Sequence, residues 1–293
     1  MHIIAAGASG FVGSRLLTGL RAGGHRVTQL VRHAPSAPDE VRWDPDGGKL
    51  GVAVLRDADA VINLCGAGVG DKRWTPAYKE LIRTSRVRPT ELLAASCAEA
   101  GVPVLINASA VGYYGPRGDE RIDESAHAGT TFLAGVCVDW ENATAAAKDG
   151  EVRVVSIRTG LVLGREGGLL PKLGLLTKLF ANGRLGSGRQ YYPWISATDE
   201  IDAITFLLTA DVAGPVNLTA PVPVTNAEFT RELGRALHRP TPWVVPKFVL
   251  SAVLGEFAGE VTTGQNAVPT ALADAGYTFR HPTLREALAA ELS

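Results

Sequence analysis

The sequence predicts an α/β protein, a doubly wound parallel sheet carrying a smaller, mostly helical C-terminal cap. Three observations predict it. First, a short apolar run, His2-Ile3-Ile4-Ala5-Ala6, leads into Gly7, Gly10 and Gly13 and then into a helical pattern with Val12, Leu16, Leu17 and Leu20 on one face. Second, apolar strand-like runs alternate with helical segments as far as Gly164, which is the signature of βαβ units and a parallel sheet. Third, the pattern changes at Arg165, where glycine pairs, a leucine-rich segment and proline-punctuated helices take over.

The totals bound the reading. At 293 residues the chain makes one large domain or two moderate ones. Hydrophobic residues are 46% and charged residues 20%, as in a globular enzyme. The net charge of −1 gives no argument for a nucleic-acid or membrane partner. Cys65, Cys97 and Cys137 are odd in number and widely spaced, so neither a metal site nor a disulfide framework is expected. The N-terminal stretch lacks a basic flank and a long apolar core, so it reads as a strand rather than a signal peptide. Trp243 to Ala258 is apolar but broken by Pro246, Lys247 and Glu256, too short to span a bilayer. A cytoplasmic protein is expected.

In Gly-x-x-Gly-x-x-Gly the first glycine permits a tight turn and the second lets the backbone approach a pyrophosphate. The third lets the helix pack closely, and its N-terminal N–H groups and dipole face the phosphates. The alternative is a plain glycine-rich turn, but strand, turn and helix come in the order a dinucleotide site requires. Gly23-Gly24 ends the helix and His25 to Val31 is the second strand. Where an acid would meet the ribose of NAD stands Arg32, followed by His33; a guanidinium suits the 2′-phosphate of NADP, against the reading of a solvated loop arginine.

Val41 to Trp43 reads as a short third strand and Asp44 to Gly48 as a turn. The fourth strand, Ala60 to Leu64, ends in Cys65-Gly66-Ala67-Gly68, either a cofactor wall or a tight turn. Trp74 to Ala100 is helical, with a kink or restart expected at Pro89. Val104 to Ala108 is the fifth strand, followed by Ser109-Ala110-Val111-Gly112-Tyr113-Tyr114-Gly115. Phe132 to Lys148 is a helix, Val152 to Arg158 the sixth strand, Asp199 to Leu208 a helix and Pro215 to Leu218 a last strand. Residues 1–164 thus form a nucleotide-binding unit to which 197–220 return, and 165–196 with 221–293 form the cap over the carboxyl edge.

Taken together these segments resemble the atypical, extended short-chain dehydrogenase/reductases of the sugar-nucleotide epimerase-like group, which carry a C-terminal domain of unknown function. The resemblance rests on Gly7-Ala8-Ser9-Gly10-Phe11-Val12-Gly13, Ile62-Asn63-Leu64, Arg73-Trp74-Thr75 and Ser85-Arg86-Val87, then on Ser109 to Gly115, Phe132-Leu133-Ala134, Val136-Cys137 and Trp140-Glu141. It continues through Tyr192-Pro193-Trp194-Ile195, Asn217 to Pro221, Thr225 to Phe229, Gly264-Gln265 and Pro269. It implies a Rossmann-type fold that binds NADP(H), with Gly7, Ser9, Gly10, Phe11, Val12 and Gly13 along the phosphates and Arg32 at the 2′-phosphate. It also implies Leu64 and Cys65 beside the cofactor, Arg86 within reach of it and Val162 near the nicotinamide.

Extended members use a serine and a Tyr-x-x-x-Lys helix for proton transfer. Ser109 is placed to be that serine, or else to cap a turn. No tyrosine here is followed by lysine four residues later; Val136 and Trp140 stand near the expected places, and Thr144 with Lys148 reads as an exposed helix end. Tyr113 or Tyr114 is a candidate phenolic acid, against a packed aromatic loop. Cys137 as a thiol ionised near a cation weighs against an inert buried thiol, and Glu141 as a base against a solvated carboxylate. Tyr191, Tyr192 and Trp194 either stack on substrate or plug the cap core. Two functions follow: an NADP(H)-dependent oxidoreductase or epimerase-like enzyme on a small polar substrate, or a catalytically silent NADP(H)-binding sensor or assembly protein.

Overall fold

The N-terminal apolar run is strand β1 (His2–Ala6), with Ile3 to Ala6 buried on both faces of the sheet as a central parallel strand requires. The coordinates, a computed structural model, describe residues 1–292. Helix α1 (Phe11–Ala22) buries Gly13, Leu16, Leu17 and Leu20 and leads to β2 (Arg26–Val31), β3 (Glu40–Arg42) and β4 (Ala60–Asn63).

Helix α2 (Pro76–Ala100) starts at the cap Thr75, whose hydroxyl accepts from the Tyr78 N–H, and stops at Gly101 in the left-handed region. It runs unbroken through Pro89, contrary to the expected restart. Its buried face (Tyr78, Ile82, Pro89, Leu93, Cys97) packs against the protein and offsets the lost hydrogen bond. Strand β5 (Val104–Ala110) extends through Ser109, β6 (Arg121–Ile122) is a two-residue strand with Ile122 buried, and the expected helix over 132–148 is two. These are α3 (Phe132–Asn142) and α4 (Ala145–Asp149). At the break Thr144 is buried and its hydroxyl donates to the Glu141 carbonyl at 2.6 Å, a side-chain bond that competes with the helix ladder. The reading of Thr144 as an exposed helix end is corrected by that burial.

Strand β7 (Arg153–Thr159) completes the central ladder, and β8 (Leu161–Gly164) and β9 (Gly167–Gly168) form a hairpin above it. There follow α5 (Leu170–Lys178), β10 (Gly183–Leu185), β11 (Tyr191–Tyr192), β12 (Trp194–Ser196), α6 (Ala197–Leu207) and β13 (Gly214–Leu218). The chain closes with β14 (Val224–Thr225), α7 (Asn226–Ala236), β15 (Trp243–Val245), α8 (Lys247–Leu254), α9 (Phe257–Thr262), β16 (Asn266–Ala267), α10 (Thr270–Asp274) and α11 (Leu284–Leu292).

Seven strands make one parallel sheet in the order β13-β7-β5-β4-β1-β2-β3. The order reverses between β1 and β4, so their carboxyl ends open a crevice where open α/β sheets take ligands. One face buries Ile3, Leu16, Ile62, Ile106 and Ile204; the other buries Ile4, Val61, Leu93, Cys97 and Leu105. Residues 214–218 pair with β7 inside the large sheet, while β8, β12 and α11 meet in a separate core around Trp194, Phe229 and Leu288. Trp194 and Tyr192 are buried there, so neither offers a stacking face; Tyr191 is half-buried.

Candidate nucleotide site at the carboxyl edge

Gly7 leaves β1 at φ +70°, and a Cβ there would lie 2.5 Å from the Cys65 nitrogen. The turn therefore rides directly on the strand that borders the crevice. Gly10 caps α1 without a side chain, and a Cβ on it would meet nothing within 4 Å. Beside it Ser9 is exposed, and the first N–H groups of α1 point out of the helix, as every helix N-terminus leaves them. Val12 packs on the core, and the Phe11 ring fills a cradle made by Gly164 and Gly167 of the β8–β9 hairpin.

Arg32, just past β2, is exposed and makes no hydrogen bond or ion pair with the described residues. Burial pushes the Cys65 thiol up to about 12, with the charge of Arg32 opposing, so the two lie within electrostatic reach. The Leu64 N–H is spent on the Ala6 carbonyl and the Cys65 N–H on Asn63 Oδ1. Neither of these two N–H groups is therefore free for a ligand. Arg86 reaches it from α2: its guanidinium lies against Gly66, donates to the Ile82 carbonyl at 2.8 Å and sits 5.0 Å over the Trp140 ring. Burial lowers its pKa from the ordinary value. Val162, in β8, is half-buried against the core face that also holds Leu64.

Ser109, at the end of β5, is 4% exposed and donates to Glu141 Oε1 at 2.7 Å. Glu141 is held in turn by Arg158 of β7 through two bonds, Nε to Oε1 at 2.8 Å and Nη2 to Oε2 at 2.9 Å. Burial opposes the Arg158 charge and the Glu141 carboxylate outweighs it, so the guanidinium pKa rises above its ordinary value. The reading of Glu141 as a solvated helix carboxylate is thereby corrected. Arg158 lies 3.5 Å over the Tyr113 ring and donates from Nη1 to the Tyr114 hydroxyl at 3.0 Å. Tyr114 is fully buried, donates to Asn217 Oδ1 at 2.7 Å and has its pKa pushed up to about 12, chiefly by burial. Tyr113 is half-buried and its hydroxyl has no partner among the described residues. Cys137, buried beneath Ser109, has its thiol pushed up to about 12 by burial.

Sequence reasoning missed the polar layer beneath this edge. Asn63 donates to Thr90 Oγ1 and Asn107 Oδ1, and the Trp140 indole donates to Thr90 Oγ1. The signal was present: Asn63 and Asn107 each follow an apolar run, Ala60-Val61-Ile62 and Val104-Leu105-Ile106, and Arg158 is a charge directly after the run Val154-Val155-Ser156-Ile157. Glu124 caps two elements of the same wall, accepting from the Asn217 and Ala271 N–H groups. No group of metal-ligating side chains exists among the described residues. Cavities of about 310 and 470 Å³ lie around α5, α7 and α11, and none of the crevice residues lines them.

Residues 3–219 match the NAD dependent epimerase/dehydratase family and residues 245–291 match a domain of unknown function, DUF1731. An epimerase family protein of Mycobacterium bovis is 50% identical over 285 residues, 97% of this chain and 95% of that one. The chloroplastic SDR39U1 homolog of Arabidopsis thaliana is 37% identical over 302 residues, 99% of this chain and 86% of that one. The human epimerase family protein SDR39U1, crystallised with NADPH, superposes with a TM-score of 0.90 at 31% identity over 99% of both chains. A nucleoside-diphosphate sugar epimerase from Corynebacterium glutamicum gives 0.82 at 38% identity, over 100% of this chain and 58% of that one.

Proposed function

The chain belongs to the NAD dependent epimerase/dehydratase family, and from that premise we propose an NADP(H)-dependent oxidoreductase or epimerase-like enzyme acting on a small polar, sugar-nucleotide-like substrate. The observation that carries it is the pairing of an open, side-chain-free helix N-terminus at Gly10 with Arg32, an exposed cation that the fold leaves unpaired among the described residues. NADPH in the human relative supports the same cofactor here. The residues fit it: the space at Gly10 is open, with nothing within 4 Å of a Cβ there, so a pyrophosphate can approach the backbone, and Arg32, exposed just past β2, supplies a guanidinium suited to the 2′-phosphate.

When bound, the nicotinamide supplies or accepts a hydride. The rest falls to the chain. The α1 N-terminus with Gly7, Ser9, Gly10 and Gly13 holds the pyrophosphate, and Arg32 the 2′-phosphate. Phe11 and Val12 fix the loop against the hairpin and the core. Leu64 and Cys65 line the cofactor with backbone, Arg86 closes that wall, and Val162 borders the reactive end. Ser109 spends its proton on Glu141, so its oxygen accepts a hydrogen bond from a substrate hydroxyl. The free Tyr113 phenol gives or takes the proton at its oxygen, and Tyr114 positions Arg158 beneath it. Residues 165–196 and 221–293 act as the substrate cap, and 1–164 with 197–220 as the cofactor unit.

A second reading, an NADP(H)-binding protein without turnover, is favoured by the buried, committed Tyr114 hydroxyl and the absence of a Tyr-x-x-x-Lys pair. Absorbance at the nicotinamide band, followed while NADPH-loaded protein meets a panel of nucleoside-diphosphate sugars and ketosugars, separates the two. The enzyme reading expects a change that Tyr113→Phe and Ser109→Ala each reduce about a hundredfold. Tight NADPH binding with no change for any substrate favours the silent protein.

A further inference from the structure

We propose that the cap docks on an anionic membrane surface through α8 and the β10–β15 ribbon. Helix α8, Lys247-Phe248-Val249-Leu250-Ser251-Ala252-Val253-Leu254, contains no buried residue. Leu250 and Leu254, one turn apart, are half-covered, while Phe248 and Val253 stand 75% and 67% exposed. Lys247 and Ser251, at i and i+4, share one face, and the rest of the circumference is apolar; so wide an apolar face is ordinarily covered by a protein core or by lipid. The apolar surface continues across β15, where Trp243 is 59% exposed, to Leu179 and Phe180 beyond α5. The parts are joined through the ribbon: the Trp243 indole donates to the Phe180 carbonyl at 2.8 Å, Gly183 of β10 lies against Trp243, and Gly186 just past β10 lies beside the Lys247 side chain of α8. Single exposed hydrophobic side chains are ordinary; a contiguous strip marks an interaction surface.

Charge identifies the occupant. Between Glu166 and Asp199, and again between Glu232 and Glu256, the chain has no carboxylate. Those two segments supply Lys178, Arg184 and Lys247, all exposed and without an ion pair among the described residues. They also supply Arg239, whose guanidinium lies 5.3 Å over the Phe180 ring. A net charge of −1 for the whole chain thus conceals a cationic, apolar face. A second copy docking symmetrically would set these cations against themselves. An anionic bilayer surface meets both demands: headgroups pair with the lysines and arginines, and the phenylalanine, valine and tryptophan side chains enter the interface. The contact is peripheral, since no helix among the described residues is long and apolar enough to cross a membrane. Arg73 donates to the Ala252 carbonyl and Lys79 pairs with Glu256 at 2.6 Å, so α8 is tied to the loop after β4, the turn behind it is tied to the first turn of α2, and the helix presents its outer side.

The test is sedimentation of the full chain with vesicles of phosphatidylcholine and with vesicles of equimolar phosphatidylcholine and phosphatidylglycerol, at low and high salt. The proposal expects binding to the mixed vesicles, weakened by salt, and about tenfold weaker binding to phosphatidylcholine alone. Phe248→Ser with Val253→Ser, and separately Lys178→Glu with Lys247→Glu, should each lower binding about tenfold. All four positions are exposed, so thermal melting should not move. No binding, equal binding to both vesicles, or unaltered binding of both variants overturns it. So does a concentration-dependent dimer that the Phe248/Val253 variant abolishes in a protein that ignores vesicles, which assigns the face to a second copy.

Discussion

Arg158 is where one side chain decides the most. It is 3% exposed and is bonded at once to Glu141, Tyr114 and the Glu124 carbonyl. Replacing it with Met leaves the Glu141 carboxylate in a desolvated place without its cation. Urea unfolding of Arg158→Met should show a loss of about 3–5 kcal/mol. Glu200 offers a second test. It is buried, its Oε1 accepts from the Thr159 hydroxyl at 2.9 Å, and its Oε2 has no partner among the described residues. Burial pushes its pKa up to about 8 from an ordinary 4.5, so the folded state holds a proton that the unfolded chain releases. Stability is then full below pH 4.5 and falls as pH rises towards 8, by up to about 1.4 kcal/mol per pH unit. Urea midpoints between pH 5 and 8 should show that slope in the wild type and lose it in Glu200→Gln. At this scale the sequence was half legible. Ser109 and Arg32 stand at strand ends, where position alone singles them out. Glu141 reads as a surface acid until α3 is laid across β7 and Arg158 meets it, a contact 17 residues apart that no periodicity encodes.

Among the elements, the β1–α1 turn was the most legible, because the glycine spacing and the amphipathic face state their own geometry. Its two glycines should respond differently. At Gly7 the backbone is left-handed and a Cβ would strike the Cys65 backbone, so Gly7→Ala should cost stability as well as NADPH affinity. At Gly10 the backbone is extended and the space open, so Gly10→Ala should leave the thermal midpoint unchanged and weaken NADPH alone, by about tenfold. Calorimetric melting and nucleotide titration of the two variants check both outcomes. Helix ends were less legible. Pro89 argues for a break that packing against the body overrules, and the true break at Thr144 comes from a buried hydroxyl bonding back to Glu141. Local preference is outweighed in both places by what the segment packs against.

For the molecule as a whole, the parallel sheet was readable because βαβ alternation leaves few topologies. The cap was readable only as a change of pattern: its short strands pair with partners far away, β10 with β15 and β11 with β14, and two- or three-residue strands have no period to detect. The same distance hid the cationic, apolar face, since its two segments are separated by the 34 residues 199–232, whose six carboxylates against one arginine offset the cations in any sum along the chain. The central proposal is a cofactor preference set by Arg32, the exposed cation just past β2. The most direct test is quenching of the five tryptophans by NADPH and by NADH, in the wild type and in Arg32→Ala. Tight NADPH binding, weak NADH binding and a drop for NADPH of about a hundredfold in the variant is the predicted result. Equal affinity for both nucleotides, or NADPH binding unmoved by the substitution, would contradict it.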